Sequence, residues 1–174
     1  MAQSFCTRYP GMSRVLSNKI KISQRYDPKS GVAMPPLHDF NALWDTGATG
    51  TVISQAVVTT CGLKPTGMVT AQSAYETKDV ETYLVNVYLP NSVAIQDITV
   101  TGGLVGGSDV LIGMDIIGLG SFAVSNYNGK TTFTFRVPSD KELDFVLGDQ
   151  YKNAMAQQLQ NRQQRRGPKS HRHK

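Results

Sequence analysis

A chain of 174 residues is long enough for one domain of about 100–150 residues plus extensions. It holds no apolar run near the roughly 18–20 residues that cross a membrane. The net charge of +5 arises at one end: Arg162, Arg165, Arg166, Lys169, Arg172 and Lys174 fall in the last thirteen residues, where no acid occurs. The remainder carries twelve basic against thirteen acidic residues, which argues against a nucleic-acid-binding body.

In chain order, residues 1–17 read as an irregular N-terminal extension. They lack the apolar stretch of a signal peptide. Cys6 and Cys61 are far apart and match no metal spacing, so both are expected as thiols in a reducing compartment, the cytoplasm. The stretch DPKSGVAMPPLHDF (27–40), with three prolines and a glycine, predicts a loop inserted between two strands. His38 falls in it without an evident Asp, Ser or Cys partner. SQAVVTTCGL (54–63) predicts a short helix with Ser54 as N-cap and Gly62 past its end. YLVNVYLP (83–90) is rich in β-branched and aromatic residues and stops at Pro90-Asn91, so it predicts a strand. GMDIIGLG (113–120) predicts a second short helix.

SFAVSNY and KTTFTFRV flank Asn128-Gly129, a strong hairpin signal because both turn residues tolerate positive φ. Phe133, Phe135 and Val137 alternate with Thr132, Thr134 and Arg136, which predicts one buried and one wet face. From Tyr151 onward strong helix formers carry little apolar surface, and the last residues are expected to be disordered. His171 and His173 there have basic neighbours and read as solvated rather than as metal ligands. Closely spaced strands with few helices predict an all-β fold, a small closed or sandwich-like barrel with one or two short helices.

One stretch carries chemistry. NALWDTGATGTVIS (41–54) is apolar until Asp45, then passes through Thr46, Gly47 and Ala48 before turning apolar again. Asp-Thr-Gly alone is a weak signal and often an ordinary turn. About sixty residues on, VLIGMDIIG (110–118) is a second apolar run that ends in Ile112-Gly113 before a short helix. The pairing of ALWDTGAT with VLIGMDII, at that separation in a short β-rich chain, resembles the retropepsin-like aspartic proteases. The resemblance covers roughly residues 18–137.

The resemblance implies a closed acid-protease barrel that works as a homodimer. The protease domain would span 18–145, including the 27–40 insertion, and 146–174 would be a basic tail, partly helical or disordered. Asp45 would be the catalytic acid, supported in its loop by Thr46, Gly47 and Ala48. Thr46 would lock the two loops of the dimer together. Ile112 and Gly113 would pack behind the loop and complete the ψ-shaped crossing. No metal or organic cofactor is implied. The partners would be a second copy and a peptide or protein substrate, with no membrane and no specific nucleic acid.

Physical chemistry agrees with such a role. Two carboxylates ~3 Å apart at an effective dielectric of ~20 repel by about 5 kcal/mol, so the pair holds one proton and can act as base and acid together. The aspartic-protease dyad is a familiar instance of this splitting. Gly47 would let the backbone approach the carboxylate and donate to it. Asp115 lacks a following Thr-Gly and sits at a helix start, where a carboxylate is favourable, so it reads as structural. Buried Cys61 also reads as structural.

The chain departs from the family in places. The stretch that would form the flap, MVTAQSAYETKDVETY (68–83), contains no glycine. Its tip would lie near Ser73, Ala74 and Tyr75, the candidate substrate contacts. Thr49 stands where retroviral enzymes often carry Asp or Asn, and Trp44 replaces a smaller aliphatic residue. The alternative function is therefore a catalytically weak or inactive retropepsin-like module that binds peptide or dimerises.

The tail gives a first test. Truncation at Gln160 is expected to keep the melting temperature within a few degrees, because the removed residues offer almost no apolar surface to bury. Calorimetry of the truncated and full chains measures it.

Overall fold

The computed structural model describes residues 2–72, 77–90 and 93–165. The proposed flap tip, Ser73, Ala74 and Tyr75, and the tail histidines His171 and His173 lie outside them. Two compact units divide the chain, residues 1–140 and 141–174.

The first unit is almost all strand. Strands β2 (Ser17–Gln24), β3 (His38–Trp44), β4 (Val52–Ile53), β6 (Thr77–Tyr88), β7 (Ala94–Gly102) and β8 (Val110–Ile112) pair in the order β2-β3-β8-β4-β7-β6. The pairing of β6 back onto β2 then closes a six-stranded barrel. β5 (Gly67–Gln72) adds to β6 as the second arm of a hairpin. Period-two patterning sorts the faces. In β2, Ile20 and Ile22 are buried between Lys19 and Lys21; in β3, Phe40, Ala42 and Trp44 are buried between Asp39, Asn41 and Leu43. At the register shift between β6 and β7, buried Asn86 of β6 accepts from the Asp97 amide at 2.9 Å and donates to the Tyr26 carbonyl at 3.0 Å. The irregular ladder is thus satisfied by a side chain.

A second sheet has the order β1-β10-β9, built from β1 (Gln3–Arg8), β10 (Lys130–Val137) and β9 (Ser121–Tyr127). β9 and β10 form the hairpin expected around Asn128 and Gly129, whose φ values are 50° and 69°. Phe133 and Phe135 are buried and alternate with half-exposed Thr132, Thr134 and Arg136 as expected; Val137 is half-buried.

One expected extension contains a strand, and one loop is shorter than expected. Residues 1–17 contain β1, paired from Gln3 opposite Val137 to Arg8 opposite Thr132. The segment shows no local pattern because only Phe5 in it is buried, and its partner lies over a hundred residues away. The insertion also ends earlier than 40. A 3-10 turn, Pro28–Ser30, is capped by the Asp27 carboxylate, and β3 then starts at His38, opposite Ile22. His38 therefore belongs to a strand.

The expected short helices form as α1 (Gln55–Thr60) and α2 (Met114–Ile117). Gly62 follows α1 at φ 60°. Ser54 occupies the N-cap, but its hydroxyl makes no capping bond and is buried without a partner. The second unit contains α3 (Phe145–Arg165), which starts before Tyr151. The Asp144 carboxylate accounts for the earlier start: it accepts from the amides of Val146 and Leu147 at 2.7 and 3.1 Å, satisfying two donors of the first turn.

The aromatic side chains of the three-stranded sheet meet the end of β3. Trp44 lies 5.6 Å from Phe5, 5.8 Å from Phe133, 5.1 Å from Phe135 and, stacked at 12°, 5.8 Å from Phe122. Its indole donates to Asn18 at 2.9 Å and its amide to the Leu16 carbonyl at 2.8 Å. The N-terminal strand thus packs on the residue next to Asp45. Phe5→Ala is expected to cost about 3 kcal/mol of stability, as for other buried aromatic truncations. Urea unfolding measures the loss, and a red-shifted emission from Trp44, the only tryptophan, should accompany it.

Candidate active site

Asp45 stands one residue beyond β3, at the barrel end where β3 and β8 run parallel with Trp44 opposite Ile112. Its amide donates to the Ile112 carbonyl at 3.0 Å. The Gly47 amide turns back to donate to Asp45 Oδ1 at 2.8 Å, and the Ala48 amide approaches the Asp45 carbonyl at 3.3 Å. A Cβ on Gly47 would stand 3.2 Å from Oδ1, which is why a residue without a side chain suits that amide. The carboxylate is part-exposed at its loop tip.

The junction of β8 and α2, residues 112–115, crosses behind this loop. The Met114 amide donates to the Ala48 carbonyl at 2.8 Å and the Asp115 amide to the Thr49 carbonyl at 3.2 Å. Gly113 comes so close to Gly50 that an added Cβ would stand 2.5 Å from the Gly50 oxygen. Buried Thr51 joins the loops. Its amide and hydroxyl donate to the two oxygens of Asp115, both at 2.8 Å, and its Oγ1 accepts from the Gly113 amide at 3.2 Å. Asp115 Oδ1 also accepts from the Ile116 amide at 2.9 Å. Both carboxylate oxygens of Asp115 are thus used in holding the loops.

The structure therefore brings Asp45, Gly47, Ala48, Ile112 and Gly113 into one crossing. Thr46 is exposed, and among the described residues its hydroxyl has no hydrogen bond. Sequence reasoning missed Thr51, which lies 64 residues from its partner Asp115. No local spacing links the two; a buried threonine announces itself only once the strands are assembled. It also missed Arg14. A cavity of about 550 Å³ beside Asp45 is lined by Arg14, Leu16, Leu43, Trp44, Thr46 and Phe122 among others.

A larger cavity of about 890 Å³ opens between the β5–β6 hairpin and the start of α1, away from Asp45. On its wall the Tyr83 hydroxyl donates to Glu81 at 2.5 Å. The carboxylate, with burial added, holds that phenol up to about 12. Among the described residues no group of three His, Cys, Asp or Glu side chains could hold a metal ion.

The profile of the family described as "gag-polyprotein putative aspartyl protease" matches residues 37–118, a span that contains both crossing loops. The solved retropepsin-like aspartic protease from Rickettsia conorii has the same fold, with a TM-score of 0.50 at 13% identity over 79% of this chain and 96% of that one. Over residues 37–118 the chain is thus similar to that family, and its fold is the retropepsin-like one. Foamy viral protease–reverse transcriptase, solved in complex with RNA/DNA hybrid, matches at a TM-score of 0.39 and 20% identity over 57% of this chain. That match spans 11% of the viral protein. A comparison with curated proteins finds no match.

The crossing of this retropepsin-like barrel predicts its own weak point. Thr51→Val keeps the shape but strips the hydroxyl from Asp115 and Gly113. It is expected to cost about 1–3 kcal/mol, the penalty of buried hydrogen-bonding groups left unpaired. Chemical denaturation should show a lower midpoint at unchanged slope.

Proposed function

We propose that the chain is an aspartic endopeptidase whose active form is a homodimer, with Asp45 of each copy supplying one half of the catalytic dyad. The observation that carries this reading is the single Asp-Thr-Gly: of ten aspartates only Asp45 is followed by Thr-Gly, and it stands part-exposed at the tip of a braced loop. Asp115, the nearest alternative, is committed to Thr51 and Ile116. A twofold axis through the cleft would set the two Asp45 loops face to face, the isologous arrangement usual in small homo-oligomers. The unbonded Thr46 hydroxyl then faces the partner loop.

In that arrangement a water molecule sits between the two carboxyl groups. One carboxylate takes a proton from the water as its oxygen attacks the peptide carbonyl carbon. The other carboxyl group gives its proton to the carbonyl oxygen, which produces a neutral diol. Collapse of the diol breaks the C–N bond, with a proton delivered to the leaving nitrogen. Gly47 N–H steadies the Asp45 carboxylate throughout. The substrate lies extended, with apolar residues near the scissile bond, in the manner of an added strand.

The cytoplasm suits the two cysteines. Both are free thiols, Cys6 exposed and Cys61 buried. Burial pushes the Cys61 thiol up to about 11, which keeps it inert. Among the described residues no helix is long and apolar enough to cross a membrane.

The dyad across two copies makes a specific demand on mixtures. Equal amounts of wild type and Asp45→Asn, after subunit exchange, should retain about a quarter of the wild-type activity rather than about half, because heterodimers carry one normal carboxylate. Specific activity should also fall on dilution below the dimer dissociation constant. Mass spectrometry of a peptide library at pH 4–7 provides the assay. Activity proportional to wild-type concentration, together with an active monomer in sedimentation, overturns the dimer. Equal cleavage by pure Asp45→Asn overturns the peptidase.

A further inference from the structure

We propose that Arg14 makes the cavity at Asp45 selective for peptides that carry a carboxylate side chain beside an apolar one. The inference rests on the peptidase reading for its location, since it takes the Asp45 cavity as the place where substrate binds. It names a substrate class that the reading leaves open.

The lining of that cavity holds two charged groups, Arg14 and Asp45. The remaining wall is chiefly apolar: Leu16, Leu43, Trp44 and Phe122. The backbone on both sides of Arg14 is pinned. Ser13 donates its amide to Thr131 Oγ1 at 2.9 Å and its hydroxyl to the Val15 carbonyl at 2.6 Å, while the Leu16 carbonyl accepts from the Trp44 amide at 2.8 Å. The guanidinium itself is exposed and, among the described residues, has no ion pair or hydrogen bond, Asp45 included. A fixed root with an uncommitted planar donor group suits it to a carboxylate that arrives from outside.

Electrostatics decides the sign. A substrate carboxylate entering a cavity whose other charged group is Asp45 meets repulsion alone. Arg14 reverses this with a bidentate, charge-assisted pair, which is stronger against an apolar wall than on open surface. A volume of about 550 Å³ admits an apolar side chain together with its acidic neighbour, within the usual range of ligand sites. The same reasoning disfavours lysine or arginine in the substrate at that position.

The chain itself supplies a probe of the right composition. Residues 142–147, ELDFVL, set two acids among exposed apolar residues: Leu143, Phe145, Val146 and Leu147 are all more than 45% exposed. The test uses the full-length Asp45→Asn protein, which binds without cutting. Three synthetic octapeptides are titrated into it: residues 141–148 unaltered, the same with Glu142→Gln and Asp144→Asn, and the same with lysine at both positions. Trp44 lines the cavity, so its emission reports occupancy. Calorimetry measures affinity independently.

The acidic peptide should bind about tenfold tighter than the amide peptide, the effect of one charge-assisted pair. Adding Arg14→Ala should bring the two within about twofold, and Arg14→Glu should turn the preference toward the lysine peptide. Arg14 is exposed, so these variants should fold, and circular dichroism checks that they do. Equal affinity for all three peptides overturns the proposal. So does an acidic preference that survives Arg14→Ala, or binding that leaves Trp44 emission unchanged. An effect of Arg14→Ala, made alone in the otherwise wild-type chain, on the pH profile of cleavage, with peptide preference in the Asp45→Asn background intact, also overturns it and makes Arg14 a partner of the dyad. The underlying reading fails separately: acidic preference without cleavage by the wild type sinks the peptidase and leaves Arg14 as a binding residue.

Discussion

The carboxylate of Asp115 holds the site together without facing it. Its two oxygens take the amide and hydroxyl of Thr51 and the amide of Ile116. Thr51 in turn receives the Gly113 amide. Two loops 64 residues apart in the sequence are joined there by charge-assisted bonds around buried Thr51. Such a network is costly to satisfy in part and stiff when satisfied in full. The Asp45 loop in front of it is braced by these bonds, and its carboxylate stands at the loop tip with the Gly47 amide as its direct partner among the described residues.

Trp44 extends that constraint to the rest of the first unit. The indole is the meeting point of the barrel and the three-stranded sheet, where Phe5, Phe122, Phe133 and Phe135 surround it. Chain termini are usually the first parts to loosen. Here the N-terminal strand instead covers a large aromatic side chain one residue from the proposed catalytic acid. The larger residue at position 44 and the added first strand are two halves of one solution: the indole needs a cover, and β1 and β10 provide it.

Charge is arranged around the same point. The body of the chain is almost neutral, so no broad field directs partners to it. Local groups decide instead. Asp45 and Arg14 face one apolar cavity, and each leaves its charge available, whereas the other carboxylate nearby, Asp115, is consumed by structure. Two aspartates at the ends of apolar runs thus acquire different surroundings through the partners that the fold brings to them.

The sequence by itself determined much of this. Asp-Thr-Gly, the later Ile-Gly run and the alternation of Phe133 and Phe135 placed the candidate acid, its supporting loop and the buried face of the last hairpin. These signals are local, because a strand's period and a turn's φ requirement are written in adjacent residues. Tertiary structure alone decided the pairing of β1 with β10, the strand identity of His38 and the Thr51–Asp115 bond. Each joins residues whose own neighbours carry no mark of the contact. Phe5 is one apolar residue among polar ones, and Thr51 is an ordinary threonine until burial removes its water and leaves a distant carboxylate as its partner.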